Sequence, residues 1–329
     1  MKYLLIIFFL IVAHSSNAKD SRQPIGVDTL SKDSSIYLAD PTIFFHQGIY
    51  YLYGTVERKT GDGFLVYLSK DLHSWSLSTK NDGYALRKGD SFGDAGFWAP
   101  QVFSHNGKFY MAYTANEHIA IAEGDSPLGP FKQPVLKALD APVKQIDPYV
   151  FIDEDGKIYL FHVRLGEGNK IFVAEMDDDL ASIKPSTLRL CIEGDTGWEN
   201  TAYSPWPVTE GPTVIRHKGL YYLLYSANDF RNPNYAVGYA TSTSPLGPWV
   251  KFRGNPIMDK ETIGENGTGH GDVFTDSLQQ MWYVFHTHFS IDRATPRRTA
   301  MVRISFERRK KKDEDRVVVD AGSFYYLNR

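Results

Sequence analysis

Residues 40–55 read DPTIFFHQGIYYLYGT, from Asp40 to Thr55, and four further stretches repeat their plan. They are WAPQVFSHNGKFYMAYTA from Trp98, DPYVFIDEDGKIYLFHV from Asp147, EGPTVIRHKGLYYLLYSA from Glu210 and GHGDVFTDSLQQMWYVFHTH from Gly269. Each has a polar or aromatic lead, a short apolar run, a turn, and an aromatic-rich run. Gly48, Gly107, Gly156 and Gly219 stand in the turns, where a left-handed backbone costs glycine nothing. Apolar, β-branched and aromatic runs flanking a tight turn predict a β-hairpin. Aligning Pro41, Pro100, Pro148, Pro212 and Asp272 gives steps of 59, 48, 64 and 60 residues. A period of roughly 60 residues, taken five times, predicts a radial array.

Alternating segments follow the hairpins: FLVYLSKDLHSW from Phe64, HIAIAEGDSPLGPF from His118, KIFVAEMDDDLASI from Lys170, YAVGYATSTSPLGPW from Tyr235 and TAMVRISF from Thr299. They supply a third and fourth strand to each unit. The expectation is an all-β fold, a five-bladed β-propeller with four-stranded antiparallel blades. The charged run RRKKKDEDR, Arg308 to Arg316, falls between two strand-like stretches and reads as a solvated hairpin loop.

Composition narrows the function classes. The 329 residues carry a net charge of −3, which gives no electrostatic case for nucleic acid. The lone Cys191 has no internal disulfide partner and reads as a small apolar residue rather than a nucleophile. Met1 to Ala18, MKYLLIIFFLIVAHSSNA, has a charged start, an apolar core and a small-residue cleavage site. It predicts a signal peptide over 1–18, and so a secreted or periplasmic location, with a single domain over 19–329. The apolar core falls short of the roughly 20 residues a membrane span needs, so no membrane insertion is expected.

A propeller gathers matching repeat positions around its axis. Asp40, Asp147 and Glu210 lead repeats one, three and four, so the fold should bring three carboxyl groups to one mouth. Each alone is explained by a turn or strand start. Three together repel one another, and a fold keeps that only for a use. Glycoside hydrolysis wants this set: one carboxyl protonated, one ionised, and a third to hold up the pKa of the acid.

These motifs in combination, ADPTI at Ala39, WAPQV at Trp98, IDPYVF at Ile146, TEGPTV at Thr209 and GTGHGDVF at Gly267, resemble glycoside hydrolase family 43. The resemblance runs from about Ser35 to Phe306. It implies a five-bladed propeller hydrolase of arabinose- and xylose-containing polysaccharides, acting with inversion. It implies Asp40 as general base, Glu210 as general acid and Asp147 as the residue that tunes and orients that acid. The base and acid should stand about 6.5–9.5 Å apart, with room for water between them. Trp98 matches an aromatic beside the sugar, with Phe97, Phe44 and Tyr203 as lesser candidates and Trp206 as a pocket wall. Either Arg297 or Arg298 matches an arginine presented to substrate. His270 matches a histidine near the axis, either beside a water-shelled structural calcium or hydrogen-bonded to Asp40 or Asp147. No cofactor is required. Gln101 stands where the family often has an acid.

The substrate expected first is an α-L-arabinofuranosyl side group of a polysaccharide or oligosaccharide, removed by exo action. β-Xylosidase and exo-galactanase stay open, as does a carbohydrate-binding propeller without catalysis. The fructan and sucrose hydrolases share the shape, but their Asn-Asp-Pro-Asn, Arg-Asp-Pro and Glu-Cys leads are absent here.

Overall fold

The computed structural model describes residues 34–57, 61–195, 197–308 and 314–329. The expected signal peptide lies outside them. Five antiparallel hairpins recur as expected. Their inner strands are Ala39–His46, Trp98–His105, Gln145–Ile152, Thr209–His217 and Gly269–Thr275. Each pairs with the next strand in sequence, and that with a third, so the chain forms a five-bladed propeller. Blades one, three, four and five are four-stranded sheets. Blade two has three strands, its outer edge reduced to a bridge between Glu123 and Lys132. Pro127, Pro130 and Pro134 crowd that edge, and a proline has no N–H to give a ladder.

The core lies between blades. Tyr53, Phe64, Phe97 and Tyr113 fill the seam of blades one and two. Phe103 and Leu160 fill the next, then Phe161 with Tyr225, then Tyr222 with Tyr283, and finally Leu52 with Val284. The ring closes where residues 34–38 meet blade five. Ile36 N–H donates to the Leu327 carbonyl (2.9 Å), and Thr299 and Arg329 N–H groups donate to Ile36 and Ser34.

One irregularity repeats in all five inner strands. Pairing slips between Ala39 and Thr42, Trp98 and Gln101, Ile146 and Tyr149, Glu210 and Thr213, and Gly269 and Asp272. These are β-bulges, which bend a strand and re-aim a side chain. The bulged residue is left-handed each time: Asp40 (φ 49°), Ala99 (45°), Asp147 (54°), Gly211 (60°) and His270 (44°). Proline follows in four blades, tolerated because the bulge needs no ladder N–H there.

The bulges correct the sequence register twice. Gly271, not Asp272, shares the position of the prolines; a Cβ on Gly271 would stand 1.8 Å from the Val284 carbonyl. The counterpart of Asp40 and Asp147 is Gly211, and Glu210 precedes it by one residue. A Cβ on Gly211 would meet the His270 ring at 2.7 Å. Blade four therefore carries its carboxyl one residue early, on the longer glutamate side chain.

Each bulge N–H is claimed by a side chain of the preceding blade. Ala99 donates to Thr55 Oγ1 (2.9 Å), Asp147 to Thr114 Oγ1 (3.0 Å), His270 to Ser226 Oγ (2.7 Å) and Asp40 to His286 Nδ1 (3.2 Å). These acceptors hold one position in the second strands, and in blade three that position is Val163. Valine accepts nothing, so Gly211 N–H turns to the Asp147 carboxylate, 3.3 Å away.

Candidate active site

The bulges bring Asp40, Asp147, Glu210 and His270 to the floor of one cleft of about 550 Å³. Trp98, Trp206 and Arg297 line the same cleft, with Glu57, Asn169 and Phe230.

Asp40 has the most cationic surroundings. Arg297 Nη1 donates to its Oδ1 at 3.0 Å, Thr55 Oγ1 to its Oδ2 at 2.7 Å, and His270 Nδ1 stands 3.3 Å away. Burial pushes this carboxyl up, but Arg297, His270 and Thr55 together outweigh it and the net direction is down. Asp147 goes the other way: burial first, then the charge of Asp40, raise it against His270 and the Gly211 N–H. Glu210 is raised to about 7 by burial and then by the Asp147 charge. Its Oε1 accepts from Tyr235 (2.8 Å) and its Oε2 from Asn169 (3.1 Å). Each oxygen keeps a further lone-pair site. Burial pushes the His270 imidazole down, yet the charges of Asp40, Asp147 and Glu210 raise it overall.

Arg297 is fixed on three sides. Its Nε and backbone N–H donate to Glu57 (2.8 and 2.5 Å), and its guanidinium lies 4.3 Å over the Phe230 ring. Arg298 faces away, 3.4 Å over Tyr326, so Arg297 is the arginine at the site. Trp206 Nε1 donates to Asn169 Oδ1 (2.9 Å), which links the cleft wall to the side chain on Glu210.

Three aromatic expectations need correction. Phe97 is fully buried, parallel to Tyr113 at 5.9 Å in the seam of blades one and two, where no sugar reaches it. Phe44 packs on the same seam, edge-on to Phe109. Tyr203 is 85% exposed and does not line the cleft. Gln101 has a structural use: its amide bridges blades two and three through Val150 N–H (2.6 Å) and carbonyl (3.1 Å).

A directly ligated calcium does not fit the axis. Among the described residues no three His, Cys, Asp or Glu side chains group to hold a metal ion. Asp272, the axial carboxylate, already accepts Thr42 and Thr213 hydroxyls at 2.6 and 2.7 Å. His270 is engaged with Asp40 and supplies nitrogen, whereas calcium takes oxygen.

Sequence reading missed Thr55, Glu57, Asn169, Phe230, Tyr235 and His286. Thr55, Thr114 and Ser226 recur near the end of each aromatic run, a signal that Val163 and His286 hide. Asn169 and Tyr235 lie at or just before third strands and Phe230 in a connection, without a repeating neighbourhood.

The comparisons agree with this fold. The family model described as "Glycosyl hydrolases family 43" matches residues 34–308. A solved structure titled endo-1,4-beta-xylanase, from Bacteroides thetaiotaomicron, superposes with a TM-score of 0.81 at 40% identity, covering 90% of this chain and 98% of that one. A β-D-galactofuranosidase of Aspergillus niger is 24% identical, over 81% of this chain and 78% of its own length. A β-xylosidase of Xylanibacter ruminicola is 25% identical, over 77% and 88%. With three carboxyl groups gathered at the bulged ends of the inner strands of a five-bladed propeller, and a family match across nearly all the described residues, the chain belongs to family 43 of the glycosyl hydrolases, enzymes that invert the anomeric centre.

Proposed function

We propose that this protein removes single α-L-arabinofuranosyl groups from decorated plant polysaccharides or their oligosaccharides. Asp40 is the general base, Glu210 the general acid, and Asp147 holds up the pKa of that acid. The observation that carries the reading is the opposite direction of two carboxyls across one cleft: Asp40 pushed down, Glu210 raised to about 7. That split supports these acid and base roles. Asp40 takes a proton from a water that attacks the anomeric carbon. Glu210 gives its proton to the glycosidic oxygen as that bond breaks. Arg297, His270 and Thr55 keep Asp40 ionised, and burial together with the Asp147 charge keeps Glu210 protonated.

The furanosyl choice draws support from the A. niger relative, named for a furanoside. β-D-Galactofuranose and α-L-arabinofuranose share a five-membered ring of matching configuration. β-Xyloside hydrolysis is the second reading, favoured by the names of the X. ruminicola and B. thetaiotaomicron proteins. Export through the segment Met1 to Ala18 completes the proposal, since a polysaccharide is met outside the cytoplasm.

The test is hydrolysis of nitrophenyl α-L-arabinofuranoside, β-D-xyloside and β-D-galactofuranoside, and of arabinoxylan, beside Glu210→Gln. Arabinose release is expected, with the rate falling as pH rises through about 7, where Glu210 loses its proton. Glu210→Gln should slow arabinoxylan by on the order of 10³-fold and the activated aryl glycoside much less. Cleavage of the xyloside alone overturns the substrate. Polysaccharide binding with no sugar release overturns the enzymatic reading.

A further inference from the structure

We propose that His286 is a positioning residue that holds the base and the acid in mutual register; this rests on the roles given above to Asp40 and Glu210. His286 occupies the second-strand position whose counterparts are Thr55, Thr114, Val163 and Ser226. Where the counterparts clamp the next bulge, they do it with a hydroxyl. Only the blade that precedes the base uses an imidazole.

The ring reaches further than a hydroxyl can. Nδ1 meets the Asp40 N–H at 3.2 Å and stands 3.4 Å from its carboxylate. Nε2 lies 3.3 Å from Arg297 Nη1, the nitrogen that also donates to Asp40. A neutral ring has one acceptor nitrogen, so these two donors compete for it. On its face the ring stacks with Tyr235, at 5.7 Å and 9°, and Tyr235 donates to Glu210. One fully buried side chain thus touches the base, the arginine on the base, and the tyrosine on the acid. Burial, with the charges of Arg297 and His270, keeps it neutral. Being fully buried, it does not meet substrate, and its action passes through those three groups.

His286→Thr tests this, because threonine restores the hydroxyl clamp of blades one and two while removing the ring. The assay uses nitrophenyl α-L-arabinofuranoside or β-D-xyloside, whichever the wild type cleaves faster, with Asp40→Asn alongside. A loss of about 10- to 100-fold in kcat is expected, the size of a misplaced catalytic group. KM should stay within about threefold, since no substrate contact is removed. His286→Thr at wild-type kcat, beside an inactive Asp40→Asn, overturns the proposal and leaves the base intact. Asp40→Asn at wild-type rate overturns both. If His286→Thr melts below the assay temperature, His286→Asn takes its place. Asparagine can accept the Asp40 N–H but cannot stack on Tyr235. The same loss in kcat supports the proposal, and full activity overturns it.

Discussion

Blade two and blade three build the same bulge to different ends. Ala99 and Asp147 have φ of 45° and 54°. Each precedes a proline, and each N–H is held by a threonine hydroxyl, at 2.9 and 3.0 Å. One carries a methyl group, the other a carboxyl beside Glu210. A left-handed backbone costs a non-glycine residue roughly 1–2 kcal/mol. Ala99 bears that cost with no charge to present, so the strain belongs to the propeller rather than to catalysis. The fold supplies five re-aimed strand ends; blades one and three put a carboxyl on the bulge itself, and blade four puts one a residue earlier.

The largest effect should come from erasing a carboxylate where the bulge is used. Asp40→Asn should lower kcat by on the order of 10³-fold for both aryl and polymeric substrates, because the water must be activated whatever the leaving group. A loss confined to the polymer would move the base elsewhere.

Asp147→Asn brings blade three toward blade two by removing charge while keeping an acceptor for Gly211 N–H. Without that charge the Glu210 pKa falls, and the alkaline limb of the rate profile should move below the wild-type position near 7. Stability has its own sign. The Asp147 carboxyl is raised on folding, so the folded chain holds this proton more tightly than the unfolded chain. Its stabilising share is present below the unfolded pKa and is lost as pH rises through the folded one. The melting temperature of Asp147→Asn relative to wild type should therefore climb with pH. An unmoved alkaline limb would remove Asp147 from its tuning role.

Val163→Thr gives blade three the hydroxyl that blades one and two have. The new acceptor competes for Gly211 N–H, weakens the ionised form of Asp147, and should cost a few-fold in kcat, about 1 kcal/mol. A kcat within error of wild type would show that Gly211 keeps its bond to Asp147. Ala99→Gly should do least. It relieves the left-handed strain but adds about 0.5–1 kcal/mol of chain entropy, so the melting temperature shifts by a few degrees at most and kcat holds. A slower Ala99→Gly enzyme would mean that the blade-two bulge itself, and not only Trp98 beside it, shapes the site.

The hairpins were legible because glycine turns and aromatic runs are local signals that recur. Asp40, Asp147, His270 and Trp98 could be placed at one site because each follows from the repeat, the resemblance, or both, and Trp206 because it stands just before Glu210; the choice of Arg297 over Arg298 needed the fold. The one-residue offset of Glu210 was not legible. It depends on the His270 ring lying where a Gly211 side chain would go, a contact between residues 59 positions apart in sequence. Phe97 and Trp98 are neighbours with opposite fates, one in a seam and one in the cleft. An aromatic pair at the start of a strand does not say which face each takes. Asn169, Tyr235 and Phe230 have no matching neighbours in the other blades, so the period gave them no weight.

The seam that closes the ring also completes the base. Asp40 and Arg297 are separated by 257 positions, and residues 34–38 reach blade five through Thr299 and Leu327. The arginine that keeps Asp40 ionised thus arrives only when the two ends of the described chain have met. During synthesis, Asp40 leaves the ribosome among the first residues of the domain and waits for nearly all the others. A chain cut before Arg297 lacks the guanidinium that holds Asp40 ionised, and should be catalytically silent whatever its earlier blades do.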